Sequence, residues 1–374
     1  MESAHEASEP GFSLYEWPGD GGRPEVDAAM TREDRESANE RVSVALCTYN
    51  GAPYLREQLE SIASQSLLPY EVVVCDDNST DASLEILREF KETVPFRMTI
   101  YRNAERLGPT KNFERAIGLC NGSIIALADQ DDVWLPSKLE KLVRVLQRDT
   151  EAGYAFSNAV VVDERLHPLG YTMWHTVSFT KRQRGAFKEG KQVEVLVKHT
   201  VVTGATMAFR SSLRELVLPI PETWVHDAWI SLIATAAGRN GIPVEEPLVL
   251  YRQHPGQAIG GRKISLPEQL RRSVAAGTSS YARETARFRQ ALVRLSERSF
   301  SRGEASALIE AKIRHLLARQ SLYDVPLRER LSIVFREMRT GRYRRLSNGW
   351  RGAIKDLSLI LVQTRRSAKE PLRE

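Results

Sequence analysis

At 374 residues, with 42% hydrophobic and 27% charged side chains, the chain has an ordinary globular composition. It can hold one large α/β domain with an appended segment, or two medium domains. No run approaches the roughly 20 apolar residues that cross a bilayer, and the N-terminus lacks a signal-peptide pattern. The net charge of +5 divides unevenly, with 11 acidic and 3 basic residues over 1–40, 24 basic and 11 acidic over 265–374, and a neutral middle. A neutral middle argues against a nucleic-acid-binding core and confines attraction to anionic surfaces to the tail.

Residues 1–40 mix Gly, Pro, Ser and acids without apolar periodicity and read as disordered. From Val42 strand and helix alternate, which predicts a mostly parallel sheet. Strands are expected over Val42 to Cys47, Glu71 to Cys75, Arg97 to Tyr101 and Ser123 to Ala128, the last of these central. Helices are expected from Pro53 to Ser64, from a cap in Asn78 to Asp81 through Phe90, from Pro109 to Leu119 and from Pro136 to Gln147. After Tyr154 the rhythm changes. Strand-like pieces (Ala155 to Val162, Ala205 to Phe209, Leu248 to Tyr251) alternate with loops and a helix from Asp227 to Ala237. Gly170 to Gly190 reads as a long loop, and beyond Ser265 the pattern is arginine-rich helix. Cys47, Cys75 and Cys120 lack disulfide or metal spacing and read as buried free thiols, which places the chain in the cytoplasm.

In open parallel sheets ligands bind at the carboxyl ends of the strands. Three polar clusters follow strands directly: Thr48-Tyr49-Asn50, Asp76-Asp77-Asn78-Ser79 and Asp129-Gln130-Asp131-Asp132. All three should converge on one sheet edge. Three carboxylates within four residues repel one another unless a cation sits among them, and oxygen ligands suit Mg²⁺ or Mn²⁺. A solvated acidic turn is the bland alternative, disfavoured by the buried run before it and by Trp134 after it. No Gly-rich phosphate loop is present, so a diphosphate would need a metal to neutralise it.

These ordered motifs, Val44 to Asn50, Val74 to Asp81 and Ala128 to Pro136, resemble the signature of family 2 glycosyltransferases over about residues 41–264. The form Asp-Gln-Asp-Asp-Val-Trp, with Tyr251-Arg252-Gln253-His254 downstream, resembles bacterial rhamnosyl- or glucosyltransferases of cell-surface polysaccharide. The resemblance implies a GT-A fold: a Rossmann-like α/β domain with a mostly parallel mixed sheet flanked by helices. Here it would carry a C-terminal helical extension. It also implies roles. Tyr49 and Asp77 would contact the base, with Thr48, Asn50 and Asp76 shaping the pocket. Asp131 would be the principal metal ligand, with Asp129 near ribose and metal and Asp132 assisting. Asp227 stands where the family places its catalytic base, and Thr203-Gly204-Ala205 would line the sugar and acceptor site.

His226 precedes the base where the family often has an acid, and the Q-x-x-R-W motif of processive members is absent, so addition of a single sugar is expected. Bland readings stand beside several of these. Asp227 could cap its helix. His254 could ligate the metal, touch the diphosphate or be an unremarkable histidine. Lys111 and Asn112 could contact the diphosphate or merely open a helix.

The expected enzyme thus takes a UDP- or dTDP-sugar donor and a glycan or lipid-linked acceptor, with Mg²⁺ or Mn²⁺ and no nucleic acid. Its expected organisation is a disordered acidic segment over 1–40, a catalytic domain over 41–264 and a basic helical extension over 265–374. That extension is either a cap packed on the core or an amphipathic contact with the inner face of the membrane. Its last turns, Trp350 to Val362, are the best candidate for such contact. The competing readings are an inactive sugar- or nucleotide-binding relative, a sugar-phosphate nucleotidylyltransferase, which would need a Gly-rich basic loop after the first strand, and a nucleic-acid-binding protein.

Overall fold

The computed structural model describes residues 41–257, 266–298, 303–367. The acidic segment 1–40 and the expected domain boundary near 264 lie outside them. In chain order the sheet-forming half comprises β1 Val42–Thr48, α1 Ala52–Ala63, β2 Glu71–Asp76, α2 Ser83–Lys91, β3 Arg97–Arg102, α3 Pro109–Leu119, β4 Ile124–Asp129, β5 Val133–Trp134 and α4 Lys138–Arg148. There follow β6 Tyr154–Val162, β7 Pro168–Thr172, α5 Met173–Thr176, α6 Lys181–Lys188, α7 Gln192–Leu196, β8 Met207–Arg210, α8 Arg214–Val217, α9 His226–Ala236 and β9 Gly241–Arg252. The C-terminal helices are α10 Leu266–Glu297, α11 Glu304–Gln320, α12 Leu327–Arg339, α13 Arg342–Leu346 and α14 Trp350–Ser367.

The strands form one sheet in the order β3-β2-β1-β4-β8-β6-β9-β5, with β7 on β6. The first four are parallel, β8 is antiparallel to both its neighbours, and β6 and β9 run parallel. Alternate residues serve opposite faces, as strand geometry requires. Val44 and Leu46 meet Leu55 and Leu59 of α1 and Leu142 of α4. Ala45 and Cys47 share the other core with Phe113 of α3 and Trp229 of α9. Because both faces are covered, β1 is buried along its whole length, the pattern expected of a central parallel strand. Tyr281, Phe288 and Leu295 of α10 and Ile309 and Leu316 of α11 join that second core.

Three local expectations change. Gly170 to Gly190 is not a loop: it contributes to β7 and forms α5 and α6, with Trp174, Phe179 and Phe187 packed around Phe156. Its signal was a capping box, Thr180 with Gln183, that precedes a helix too short to show periodicity. The run Asn78 to Asp81 stops one residue before the N-cap Ala82 of α2, which makes no side-chain bond, and the capping is done from one residue further back, by Asp81 Oδ1, which accepts the N–H of Ser83. Asp227 does not cap α9 either: the N-cap is Val225, and Asp227 sits in the first turn.

Candidate functional site

The register brings the strand ends together. Thr48 pairs with Asp76, and Cys47 pairs with Asp129, so the polar residues that follow β1, β2 and β4 open onto one edge. Most of the polar groups there hold the loops in shape. Thr48 Oγ1 donates to Asp76 Oδ2 at 3.0 Å, and Asp76 Oδ1 accepts from Ser79 N–H at 2.9 Å. Asn50 stands at φ 47, where an Asn tolerates left-handed backbone. Its N–H donates to Ser79 Oγ, and its Oδ1 accepts from Thr80 N–H, both at 2.9 Å. Asp81 ties the two loops by accepting from Ala52 N–H and Ser83 N–H, each at 3.0 Å.

Asp77 is buried and accepts three bonds, from Asn103 Nδ2 and Leu107 N–H at 2.7 Å and from Gly108 N–H at 2.9 Å. It therefore pins the loop that leads from β3 to α3. That loop carries Arg106, whose guanidinium lies 3.9 Å over the Tyr49 ring. Asn112 is buried and bonded to Asn103 and to the Cys75 carbonyl, and Lys111 pairs with Glu114 at 2.8 Å. Both side chains are thus committed within the fold. Asn103 escaped the sequence reading, although it follows a strand just as the three named clusters do.

The acidic turn is wired to the rest of the edge by side chains that the motif did not announce. Gln130 grips the Tyr49 backbone twice: its Oε1 accepts from Tyr49 N–H at 2.8 Å and its Nε2 donates to Tyr49 C=O at 3.0 Å. Gly51 makes room for that grip, since a Cβ there would lie 2.1 Å from Gln130 Oε1. Two buried basic side chains flank the turn. Lys138, fully buried, donates to the Ala205 carbonyl at 2.6 Å and sits 3.2 Å over the Trp134 ring. Arg252, buried at the end of β9, donates from its backbone to Asp132 Oδ1 at 3.1 Å and from Nε to the Asp131 carbonyl at 2.8 Å. Asp132 is buried, and its Oδ2 has no partner.

Four carboxylates act on this region through their charge. Burial, then Asp131, then Asp227 push the Asp129 carboxyl up to about 7, with Lys138 opposing. Burial and the same neighbourhood raise Asp132 well above its ordinary range. Tyr251 is also raised, by burial and then by the charges of Asp132, Asp129, Asp131 and Asp227. A crowd of this kind attracts a cation.

His254 Nε2 lies 2.8 Å from Asp131 Oδ2, and its ring packs on Tyr54 at 4.5 Å. A carboxylate oxygen suits Mg²⁺ or Mn²⁺, and an imidazole nitrogen beside it suits Mn²⁺ better than the harder Mg²⁺. Among the described residues no three His, Cys, Asp or Glu side chains gather closely enough to hold a metal by themselves. The donor set therefore fits an ion whose coordination shell is completed by substrate oxygens.

Gly204 N–H donates to Asp227 Oδ2 at 2.9 Å, and Ala228 N–H donates to Oδ1 at 2.6 Å. His226 turns away from solvent and stacks on Phe113 at 4.0 Å, and both of its ring nitrogens lack a partner. Burial keeps it neutral by lowering its pKa. The close approach of Gly204 is steric: a Cβ there would lie 2.6 Å from His226 Nε2. Of the sequence candidates, then, the fold joins Asp131 to His254, Gly204 to Asp227 and Thr48 to Asp76.

Residues 43–217 match the family model Glycosyl transferase family 2. The dTDP-rhamnosyl transferase RfbG of Shigella flexneri is 26% identical over 254 residues, which is 66% of this chain and 84% of that protein. An uncharacterized glycosyltransferase of Nostoc sp. is 32% identical over 113 residues, 30% of this chain and 35% of that one. The chain therefore spans about a third of one of these relatives and most of the other. In fold it is similar to residues 1-349 of TarS from S. aureus, solved with UDP-GlcNAc, at a TM-score of 0.50 and 17% identity, covering 87% of this chain and 92% of that one.

Proposed function

The chain belongs to glycosyl transferase family 2 through residues 43–217, and from that premise we propose that it moves one sugar from a nucleoside-diphosphate donor to an acceptor hydroxyl, with inversion. The observation that carries this reading is the pairing of Asp131 with His254 at 2.8 Å, on the same edge as Asp227, which Gly204 N–H holds. A divalent cation held there by Asp131 and His254, with Asp129 beside them, would act as a Lewis acid toward the departing diphosphate.

The chain's own groups do the remaining work. Asp227 takes the proton of the acceptor hydroxyl as that oxygen bonds to the anomeric carbon, while the bond from that carbon to the diphosphate oxygen breaks. Gly204 N–H fixes Asp227 Oδ2, and the Ala228 N–H fixes Oδ1, so the base meets the acceptor in a set orientation. Tyr49 offers a flat face for the base of the nucleotide. Its backbone is held by Gln130 from the acidic turn, so the base pocket and the diphosphate site move as one piece.

Rhamnose from dTDP-rhamnose is the first donor to test, because the Shigella relative bears that name and aligns over most of its length. A hexose from a UDP-sugar comes next. The acceptor in this reading is a glycan or a lipid-linked glycan of cell-surface polysaccharide synthesis, met on the cytoplasmic side of the membrane. The test is donor hydrolysis across UDP-, GDP- and dTDP-sugars with Mn²⁺, Mg²⁺ or chelator, beside Asp131→Ala. Metal-dependent release of one nucleoside diphosphate, lost in the variant, supports the reading. Folded, metal-loaded protein that neither binds nor cleaves any donor would replace it with an inactive sugar-binding relative.

A further inference from the structure

The segment after α11 turns large apolar side chains to solvent. On α12, Leu327, Leu331, Phe335 and Met338 are 45%, 37%, 61% and 46% exposed. At 100° per residue these four fall within an arc of roughly 80°. That arc borders the edge where Val334 and Glu337 are buried. α14 opens in the same way, with Trp350 68% and Ile354 49% exposed one turn apart. Ala353 and Leu357 of α14 pack with Val334 and Ile333 of α12 in one small cluster. The two exposed stripes therefore flank a shared seam.

Arginines border both stripes. Arg328, Arg336, Arg339 and Arg351 on these two helices are exposed, and the guanidinium of Arg351 lies 5.6 Å over the Trp350 ring. Of the two acids between Leu327 and Arg351, Glu329 is exposed. The other, Glu337, is buried against His315 and Arg342.

The combination selects a partner. A nucleic acid would engage the arginines but leave the leucines, the phenylalanine and the methionine in water. A second copy presenting the same face would set arginine against arginine. An anionic lipid surface accepts both halves, with apolar side chains entering the acyl boundary, Trp350 at headgroup depth and guanidiniums on the phosphates. No helix among the described residues is long and apolar enough to cross a membrane, so the geometry is that of a helix lying on the surface.

We propose that α12 and the first turns of α14 form an interfacial docking face for anionic lipid. Of the Trp350 to Val362 stretch singled out in the sequence, Trp350 and Ile354 belong to this face, and the side chains from residue 359 onward lie outside the described residues. The larger part of the face is α12, where the sequence pattern drew no attention. None of its residues belongs to the donor site, so docking and sugar transfer can fail separately.

The experiment is sedimentation of the full chain with vesicles of phosphatidylcholine alone, or with about a third phosphatidylglycerol. Partition into the anionic vesicles should exceed that into neutral ones by at least roughly tenfold and should fall with salt. Leu331→Ser with Phe335→Ser should lower it by about tenfold or more. Because both side chains face solvent, Tm and donor hydrolysis should be unchanged. Absent binding to anionic vesicles, or equal binding by the double variant, overturns the proposal. So does sedimentation equilibrium showing a dimer that the double variant converts to monomer, since the face would then belong to a second copy.

Discussion

Replacing Gln130 by alanine tests whether the acidic turn and the nucleotide-base pocket are one mechanical unit. The side chain makes two hydrogen bonds to the Tyr49 backbone, at 2.8 and 3.0 Å, across 81 residues of sequence. Truncation leaves a half-buried N–H and C=O without those partners. At about 1 kcal/mol for each lost bond, with water replacing part of each, the cost is about 2 kcal/mol. In a unit of this size that is a Tm decrease of only a few degrees.

The functional effect should be sharper than the thermal one. Tyr49 carries the ring on which Arg106 lies, and that ring is the expected platform for the base. If half of the lost energy reappears as disorder in the bound loop, nucleotide affinity falls by roughly fivefold. Titration calorimetry with UDP and dTDP in Mn²⁺, beside differential scanning fluorimetry, reads both quantities. Gln130→Glu is the informative partner: it retains the acceptor for Tyr49 N–H, loses the donor to the carbonyl and adds a charge beside Asp129 and Asp131. It should bind nucleotide more weakly than wild type in chelator, with a smaller deficit in Mn²⁺. If Gln130→Ala binds nucleotide as wild type does, the clamp is ornamental and the coupling is refuted.

Three further outcomes are expected. Asp131→Asn and His254→Ala should each weaken Mn²⁺ binding by about tenfold or more. Because the Asp129 carboxyl is held up at about 7 by burial, Asp131 and Asp227, wild-type Mn²⁺ affinity should decline as pH falls below about 7, since ion entry must expel that proton. Calorimetric titration at several pH values checks both, and flat affinity from about pH 5 to 8 counts against this site.

Gly204→Ala should destabilise by about 1–3 kcal/mol and reduce turnover, because its Cβ meets the buried His226 ring and displaces the N–H that orients Asp227. Adding His226→Ala opens the space and should recover part of both losses in chemical denaturation and initial-rate assays. Strict additivity of the two changes would show that they do not touch.

His226 also predicts a pH effect. Its folded pKa lies below the ordinary value of 6.5, so below that pH the unfolded chain binds a proton that the folded one refuses. The stabilisation is complete above about 6.5 and is lost as pH falls toward the folded value. His226→Gln should flatten the acid limb of Tm against pH between about 7 and 5, and an unchanged limb assigns it to other groups.

Much of this protein was legible in the linear chain. The helix Pro109 to Leu119 was read to the residue, and β1, β2 and β4 to within one residue at each end, because apolar runs, prolines and turn residues act locally. The convergence of Thr48, Asp76 and Asp129 followed from those strands, since parallel strands end on one edge. What the sequence could not determine was who holds whom. His254 meets Asp131 across 123 residues, Gln130 grips Tyr49 across 81, and Gly204 orients Asp227 across 23. Such pairs depend on strand order, and the insertion of antiparallel β8 between β4 and β6, which brings Gly204 to the site, leaves no periodic trace. Burial is equally nonlocal. Lys138, the first residue of α4, lies fully buried, whereas Phe335 on α12 faces water. A side chain's environment is set by what packs on it, and in this chain that covering was decided only when distant helices closed over the two faces of the sheet.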